Sequence, residues 1–220
     1  MDSNRKTAII VGVLFITAVV SSLLSGVFSG SIDDPDYLTA VSANENQVLI
    51  GVLFQLTLTA SVVAIPIMMF PILKKHNESL ALGYVGARIF EGFFDAVMAI
   101  GLLLLLTLSR EFVNAGAPVA SYFQNSGALL RALYDWSSVP ENFPYGLGAL
   151  ILNYLLYKSK LVPRWLSVWG LIGGTLMLAM GVLRMFGYPF IFLFFPLFVN
   201  EMVLAVWLIV KGFNSSAIAS

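Results

Sequence analysis

Long apolar runs separated by short polar stretches dominate the chain. Six of them reach the roughly 20 mainly apolar residues that a helix needs to cross a bilayer core. They cover approximately 7–28, 48–73, 80–108, 139–157, 165–183 and 189–210. The first, from Thr7 to Phe28, carries no charge and is too long for the usual apolar stretch of a cleaved secretory signal, so it reads as a retained helix. The second contains Gln55, Pro66 and Pro71, and the third contains Arg88, Glu91 and Asp95. The fourth is the least apolar and opens with Pro140, Glu141, Asn142 and Pro144. The sixth includes Pro196, Asn200 and Glu201.

The connections are short except for Arg110 to Ser138. There Val119, Tyr122, Phe123, Leu129, Leu130, Leu133 and Tyr134 recur at helical spacing, with Gln124, Asn125, Arg131 and Asp135 elsewhere. This predicts an amphipathic helix over about 119–137 lying on the outer membrane surface. A short buried helix is the competing reading. The fold expected is an all-α integral membrane protein: one domain over 1–220, a six-transmembrane-helix bundle with an additional amphipathic outer-surface helix.

Composition narrows the chemistry. Charged residues make up 11% of the chain, against about 25% in a soluble domain. Lys+Arg and Asp+Glu are 12 each, so no net charge draws the protein to nucleic acid. There is no Cys and one His, which removes thiol catalysis, disulfides, His-rich zinc sites and paired haem ligands. No cofactor and no metal site is expected, and no residue is singled out as catalytic.

Charge placement sets direction. With the N-terminus inside, the inner side holds Arg5, Lys6, Lys74, Lys75, Lys158, Lys160, Arg164 and Lys211. The outer side holds Arg110, Arg131 and Arg184. This bias predicts a multi-pass protein of the inner (cytoplasmic) membrane with both termini cytoplasmic. Arg184 is expected to snorkel, or to meet Asp135 or Glu141. Gly170-x-x-x-Gly174, Ser22-x-x-x-Gly26 and Gly26-x-x-x-Gly30 supply small-residue faces that let helices approach closely and would permit an oligomer.

The run Tyr157-Lys-Ser-Lys-Leu-Val-Pro-Arg-Trp-Leu-Ser-Val-Trp-Gly170 resembles the cytoplasmic turn of the domain of unknown function 4386 family. Asn4-Arg-Lys-Thr-Ala-Ile-Ile, Leu82-Gly-Tyr-Val-Gly-Ala-Arg88-Ile-Phe-Glu91 and the ending from Glu201 to Phe213 are similar to it as well. The resemblance covers nearly the whole chain and implies a prokaryotic multi-pass membrane protein. It supplies no activity, substrate or catalytic residues.

The third span carries the strongest chemical signal. At about 100° per residue, Asp95 lies about 20° from Arg88 around the helix, and Glu91 about 60°. With Tyr84 they form one polar stripe. A charge at the bilayer centre costs at least ~2.5–3.5 kcal/mol on insertion scales, so these groups must face the bundle interior and pair. Arg88 serves one carboxylate and leaves one over. In the sixth span Glu201 has no cation within a turn, and Pro196 leaves a backbone carbonyl free nearby. The fourth span places Asn142, Tyr145, Gly146, Ala149 and Asn153 along one stripe. These features predict a polar cavity between the third, fourth and sixth spans, biased toward the cytoplasmic half. The candidate ligand or ion residues are Arg88, Glu91, Asp95, Glu201, Asn200, Tyr84, Asn153 and Tyr145. The leading functional expectation is binding or translocation of a small solute, ion or proton. The alternative is a membrane scaffold or accessory subunit whose charges serve helix packing. A lipid-modifying enzyme using the paired acids is a third reading.

Overall fold

A computed structural model of the chain describes residues 3–117, 121–188 and 190–218. Among these residues every regular element is helical. The long helices are α1 (Ser3–Phe28), α3 (Glu45–Leu73), α4 (Glu78–Asn114), α5 (Ser121–Ser159), α6 (Arg164–Met185) and α7 (Phe195–Val210). A short helix, α2 (Tyr37–Ala43), follows a 3₁₀ turn, Gly30–Asp33. A second 3₁₀ turn, Ile191–Phe194, leads into α7, and a single helical turn, α8 (Ser215–Ile218), ends the described chain. Five helical segments are long and apolar enough to cross a membrane: α1, α3, α4, α6 and Ile191–Val210. The protein is thus a multi-pass helical bundle of membrane type.

The six long helices form a closed ring. Each packs on the next, in the order α1, α3, α4, α5, α6 and α7, and α7 returns to α1. Close approach makes the closure possible: a Cβ on Gly12 of α1 would lie 2.6 Å from the Ala205 carbonyl oxygen of α7. Arg5 fastens the same seam. Its guanidinium donates to the carbonyls of Leu208 (3.0 Å), Ile209 (2.6 Å) and Val210 (3.2 Å), which the end of α7 otherwise leaves without helical partners.

Two expectations about the segment between the third and fourth spans are corrected. α4 does not stop near Leu108 but runs on to Asn114, and α5 starts at Ser121. The stretch from Arg110 to Ser138 is therefore mostly helix. The surface helix expected over 119–137 is not a separate element; it continues without a break into the span expected over 139–157, with Pro140 and Pro144 inside the helix. Val119 lies outside the described residues, as does Pro189 at the start of the expected sixth span. The physical cause is the apolar C-terminal half of α4, which needs a partner. Leu102, Leu105, Leu106 and Phe112 are buried there, with Phe123, Leu130 and Tyr134 of α5 packed against the same cluster. The rings of Phe112 and Phe123 meet edge to face at 5.5 Å. Tyr122, Leu129 and Leu133 remain exposed, so the apolar positions of this segment divide between two faces.

At this end, away from the N-terminus, Arg110 pairs with Glu45 and Arg131 with Asp33. The opposite half of the ring, which holds the N-terminus, is filled by a packed apolar plug including Phe15, Met69, Leu73, Tyr84, Leu156 and Leu166. The Gly170-x-x-x-Gly174 face is used within the chain: a Cβ on Gly170 would fall 2.2 Å from Asn153, and one on Gly174 would lie 3.1 Å from Leu150, both on α5. Gly26 and Gly30 face open space.

Candidate functional site

α4 brings Arg88, Glu91 and Asp95 to its inward face, each nearly inaccessible at 2%, 4% and 1% exposure. Their seven-residue span is two helical turns, so all three project the same way. One Arg88 nitrogen, Nη1, reaches both Glu91 oxygens at 3.1 and 2.9 Å. The other, Nη2, lies 3.8 Å from Glu201 of α7. Tyr145 of α5 completes this group. Its hydroxyl donates to Glu201 at 2.7 Å, and its ring sits 5.3 Å from the Arg88 guanidinium carbon, within cation–π range.

Asp95 is held differently. Gln55 of α3 donates to its Oδ1 at 2.9 Å, and Ser25 of α1 donates to the Gln55 carbonyl oxygen at 2.9 Å. Asp95 Oδ2 has no hydrogen-bond partner among the described residues. Glu141 of α5 completes a third group: one oxygen each from Glu91, Asp95 and Glu141 lie within 4.8 Å of one another. The Glu141 side chain makes no hydrogen bond or ion pair among the described residues. In the next position Asn142 is buried, and its Nδ2 is without a partner. Arg184 of α6 donates to the Ser138 carbonyl (3.2 Å) and hydroxyl (2.8 Å). It therefore anchors the proline-bearing turn of α5 and forms no ion pair with Asp135 or Glu141 among the described residues.

All of these groups but Gln55 and Ser25 line a cavity of about 260 Å³ inside the ring, shared by α1, α3, α4, α5, α6 and α7. Four carboxylates line it (Glu91, Asp95, Glu141 and Glu201) and two guanidinium groups (Arg88 and Arg184). Two minus four leaves a formal excess of two negative charges. The cavity extends from Arg88 and Glu201 toward Ser138 and Arg184, in the half of the bundle away from the N-terminus. Relative to the N-terminus, this is the half opposite the one that the sequence reading favoured. Asn153 and Asn200, two of the polar residues expected at the cavity, are used in packing. Asn153 donates to the Ala149 carbonyl of its own helix at 2.9 Å and faces Gly170. Asn200 is fully buried and donates to the Leu166 carbonyl of α6 at 2.9 Å.

Of the eight residues singled out by sequence, Arg88, Glu91, Asp95, Tyr145 and Glu201 meet at this cavity. Tyr84 belongs to the apolar plug one turn away, with its hydroxyl unpartnered. Asn153 and Asn200 stand apart. Sequence reasoning missed Glu141, Gln55 and Ser25. Glu141 is hidden by its place at the polar entry of the least apolar span. Gln55 is the one amide in an otherwise apolar second span, and that is the signal it offers. The carboxylate trio also bears on the expectation of no metal ligands, since three oxygens at this separation match the spacing that a cation with ligands at about 2.3–2.6 Å imposes.

No solved structure matches the chain. A 76-residue stretch is 32% identical to an uncharacterized protein of the archaeon Archaeoglobus fulgidus, covering 34% of this chain and 46% of that protein. The chain thus spans about half the length of the curated relative it matches. A family described as "Domain of unknown function (DUF4386)" matches residues 10–212, nearly the full length. The protein belongs to the DUF4386 family of multi-pass membrane proteins.

Proposed function

We propose that the protein binds a cation or protons at Glu91, Asp95 and Glu141 and passes them across the membrane. The observation that carries this reading is the convergence of three carboxylates from two helices in a cavity with two more acids than guanidinium groups. Buried charge without compensation is costly. Two positive charges supplied by protons or metal ions would neutralise the excess. The unpartnered Asp95 Oδ2 and the buried Asn142 amide supply polar groups for such an ion or its bound water. Arg88 holds Glu91 in place and sets its orientation. The apolar plug around Tyr84 closes the pathway on the N-terminal side, so release there requires a second arrangement of the ring.

In this reading residues 139–157 of α5 cross as the fourth of six spans. Both termini are cytoplasmic, since Lys and Arg concentrate at the end holding them. The membrane is the inner one.

A second reading, a scaffold whose charges hold helices together, is favoured by the Ser25–Gln55–Asp95 hydrogen-bond chain, which ties α1, α3 and α4. Glu141 separates the two readings, because it is part of the trio but of no helix-joining bond. Purified protein is titrated with Mn²⁺, with free metal followed by electron paramagnetic resonance. Proteoliposomes containing a pH-sensitive dye report proton flux. The cation reading expects Glu141→Gln to fold normally and lose Mn²⁺ binding or flux. Wild-type protein that neither takes up Mn²⁺ nor conducts protons leaves the scaffold.

A further inference from the structure

The end of the bundle that holds the N-terminus carries a second cavity, far from the carboxylates. It measures about 540 Å³ and lies between the start of α6 and the end of α7. Three cations line it, Lys160, Arg164 and Lys211, together with Trp207, Phe213 and Asn214. No carboxylate lines it among the described residues. A shallow apolar groove of about 400 Å³ continues from it along one face of α7, formed by Met202, Val203, Val206 and Val210 of that helix. Trp207 and Lys211 belong to both, so the two form one continuous surface.

We propose that this surface binds one anionic phospholipid, with its phosphate among Lys160, Arg164 and Lys211 and an acyl chain in the α7 groove.

The local structure presents these cations instead of spending them. Lys160 adopts a left-handed backbone conformation, φ 57°, where glycine or asparagine is the usual residue. Asn214 holds that turn by donating its backbone N–H to the Leu161 carbonyl at 2.9 Å and its side-chain amide to the Lys160 carbonyl at 3.5 Å. Arg164 stacks over the Tyr157 ring at 5.0 Å, which fixes its direction. Lys211 caps α7 through its backbone N–H, which donates to the Trp207 carbonyl at 2.8 Å, and Arg5 takes the next three carbonyls, so the Lys211 ammonium is not needed there. Neither Lys160 nor Lys211 forms an ion pair among the described residues. The adjoining N-terminus of α6 adds positive potential, because Pro163 gives it no side-chain cap.

The groove distinguishes a lipid from a free anion. A soluble phosphate has no use for Met202, Val203 and Val206, whereas a diacyl lipid fills both parts at once. Basic pockets between membrane helices are known to take anionic headgroups. This inference does not rest on the cation reading, and the two sites share no residue.

The test uses the full chain in detergent, titrated with dioleoyl phosphatidylglycerol and, separately, dioleoyl phosphatidylcholine, with bound lipid counted by native mass spectrometry. One phosphatidylglycerol should bind at least about fivefold more tightly than phosphatidylcholine. Lys211→Gln and Arg164→Gln should each weaken phosphatidylglycerol about fivefold and leave phosphatidylcholine unchanged. Lys211 is exposed and its side chain makes no hydrogen bond or ion pair among the described residues, so its variant remains informative if the Arg164 variant folds poorly. Val206→Trp should fill the groove and weaken both lipids. Equal binding of the two lipids, or phosphatidylglycerol binding unmoved by Lys211→Gln, overturns the proposal. Inorganic phosphate competing fully at millimolar concentration, with Val206→Trp neutral, would make this a soluble-anion site and overturn the lipid assignment too.

Discussion

The Tyr145 hydroxyl donates a 2.7 Å hydrogen bond to Glu201 across the interior of the ring, joining α5 to α7, two helices that α6 separates. Glu201 has one other close polar neighbour of note, the Arg88 guanidinium at 3.8 Å. Tyr145 therefore holds this carboxylate where the cation can feel it. Hydrogen bonds to charged groups are worth about 1.5–3 kcal/mol. Tyr145→Phe, which keeps the ring over Arg88, should lower unfolding stability in detergent by that amount. An unchanged denaturation midpoint would mean that the bond is not made in the folded protein.

Arg88 and Glu91 form the closest buried ion pair, 2.9 Å apart. Removing one partner of such a pair costs about 3–5 kcal/mol, because the other is left buried without compensation. Arg88→Leu should be destabilised on that scale, with Glu91 and Glu201 both losing their cation. Arg88→Leu combined with Glu91→Leu should recover part of the loss. Thermal unfolding of the four proteins in the cycle measures this coupling, and a double variant no more stable than Arg88→Leu would identify Glu201 as the principal partner.

Arg5 joins the first and last long helices through three carbonyl groups. Arg5→Ala should cost about 1–3 kcal/mol, since it removes charged donors from the C-terminal end of α7. Limited proteolysis near Lys211 should accelerate in step. Arg5→Lys should restore only part of the effect, because one ammonium cannot span the same set of carbonyls as a guanidinium. Unchanged proteolysis in Arg5→Ala would show that the ring closes without this contact.

The natural chain lacks cysteine, which makes single-cysteine labelling clean. The Lys/Arg bias expects Asn114→Cys to react with an impermeant maleimide in intact cells and Ser159→Cys to react only after the membrane is opened. Labelling of Ser159→Cys from outside would invert the topology.

Part of the candidate site is legible in the order of residues along the chain. Arg88, Glu91 and Asp95 share a helical face by spacing alone, and a charged stripe inside an apolar run has to turn inward. The neighbours of that stripe are not legible in the same way. Glu141 sits in a segment polar enough to read as an interface, and its side chain reaches the trio only because α5 lies beside α4 along its whole length. Asn153 and Asn200 show the converse: both are mid-span and polar, but each finds a backbone carbonyl within reach and leaves the cavity.

The sequence by itself determined the helical class, the membrane setting and the identity of the inward-facing charges. Those follow from run length, the cost of charge in lipid and the 3.6-residue period, all local quantities. Only the tertiary structure decided that α4 and α5 extend as a pair, that α7 closes on α1, and that the cavity lies in the half away from the N-terminus. These depend on which helix faces which, and at what rotation. Periodicity along one helix does not specify its partner; packing of Phe112 on Phe123 and close approach at Gly12 do.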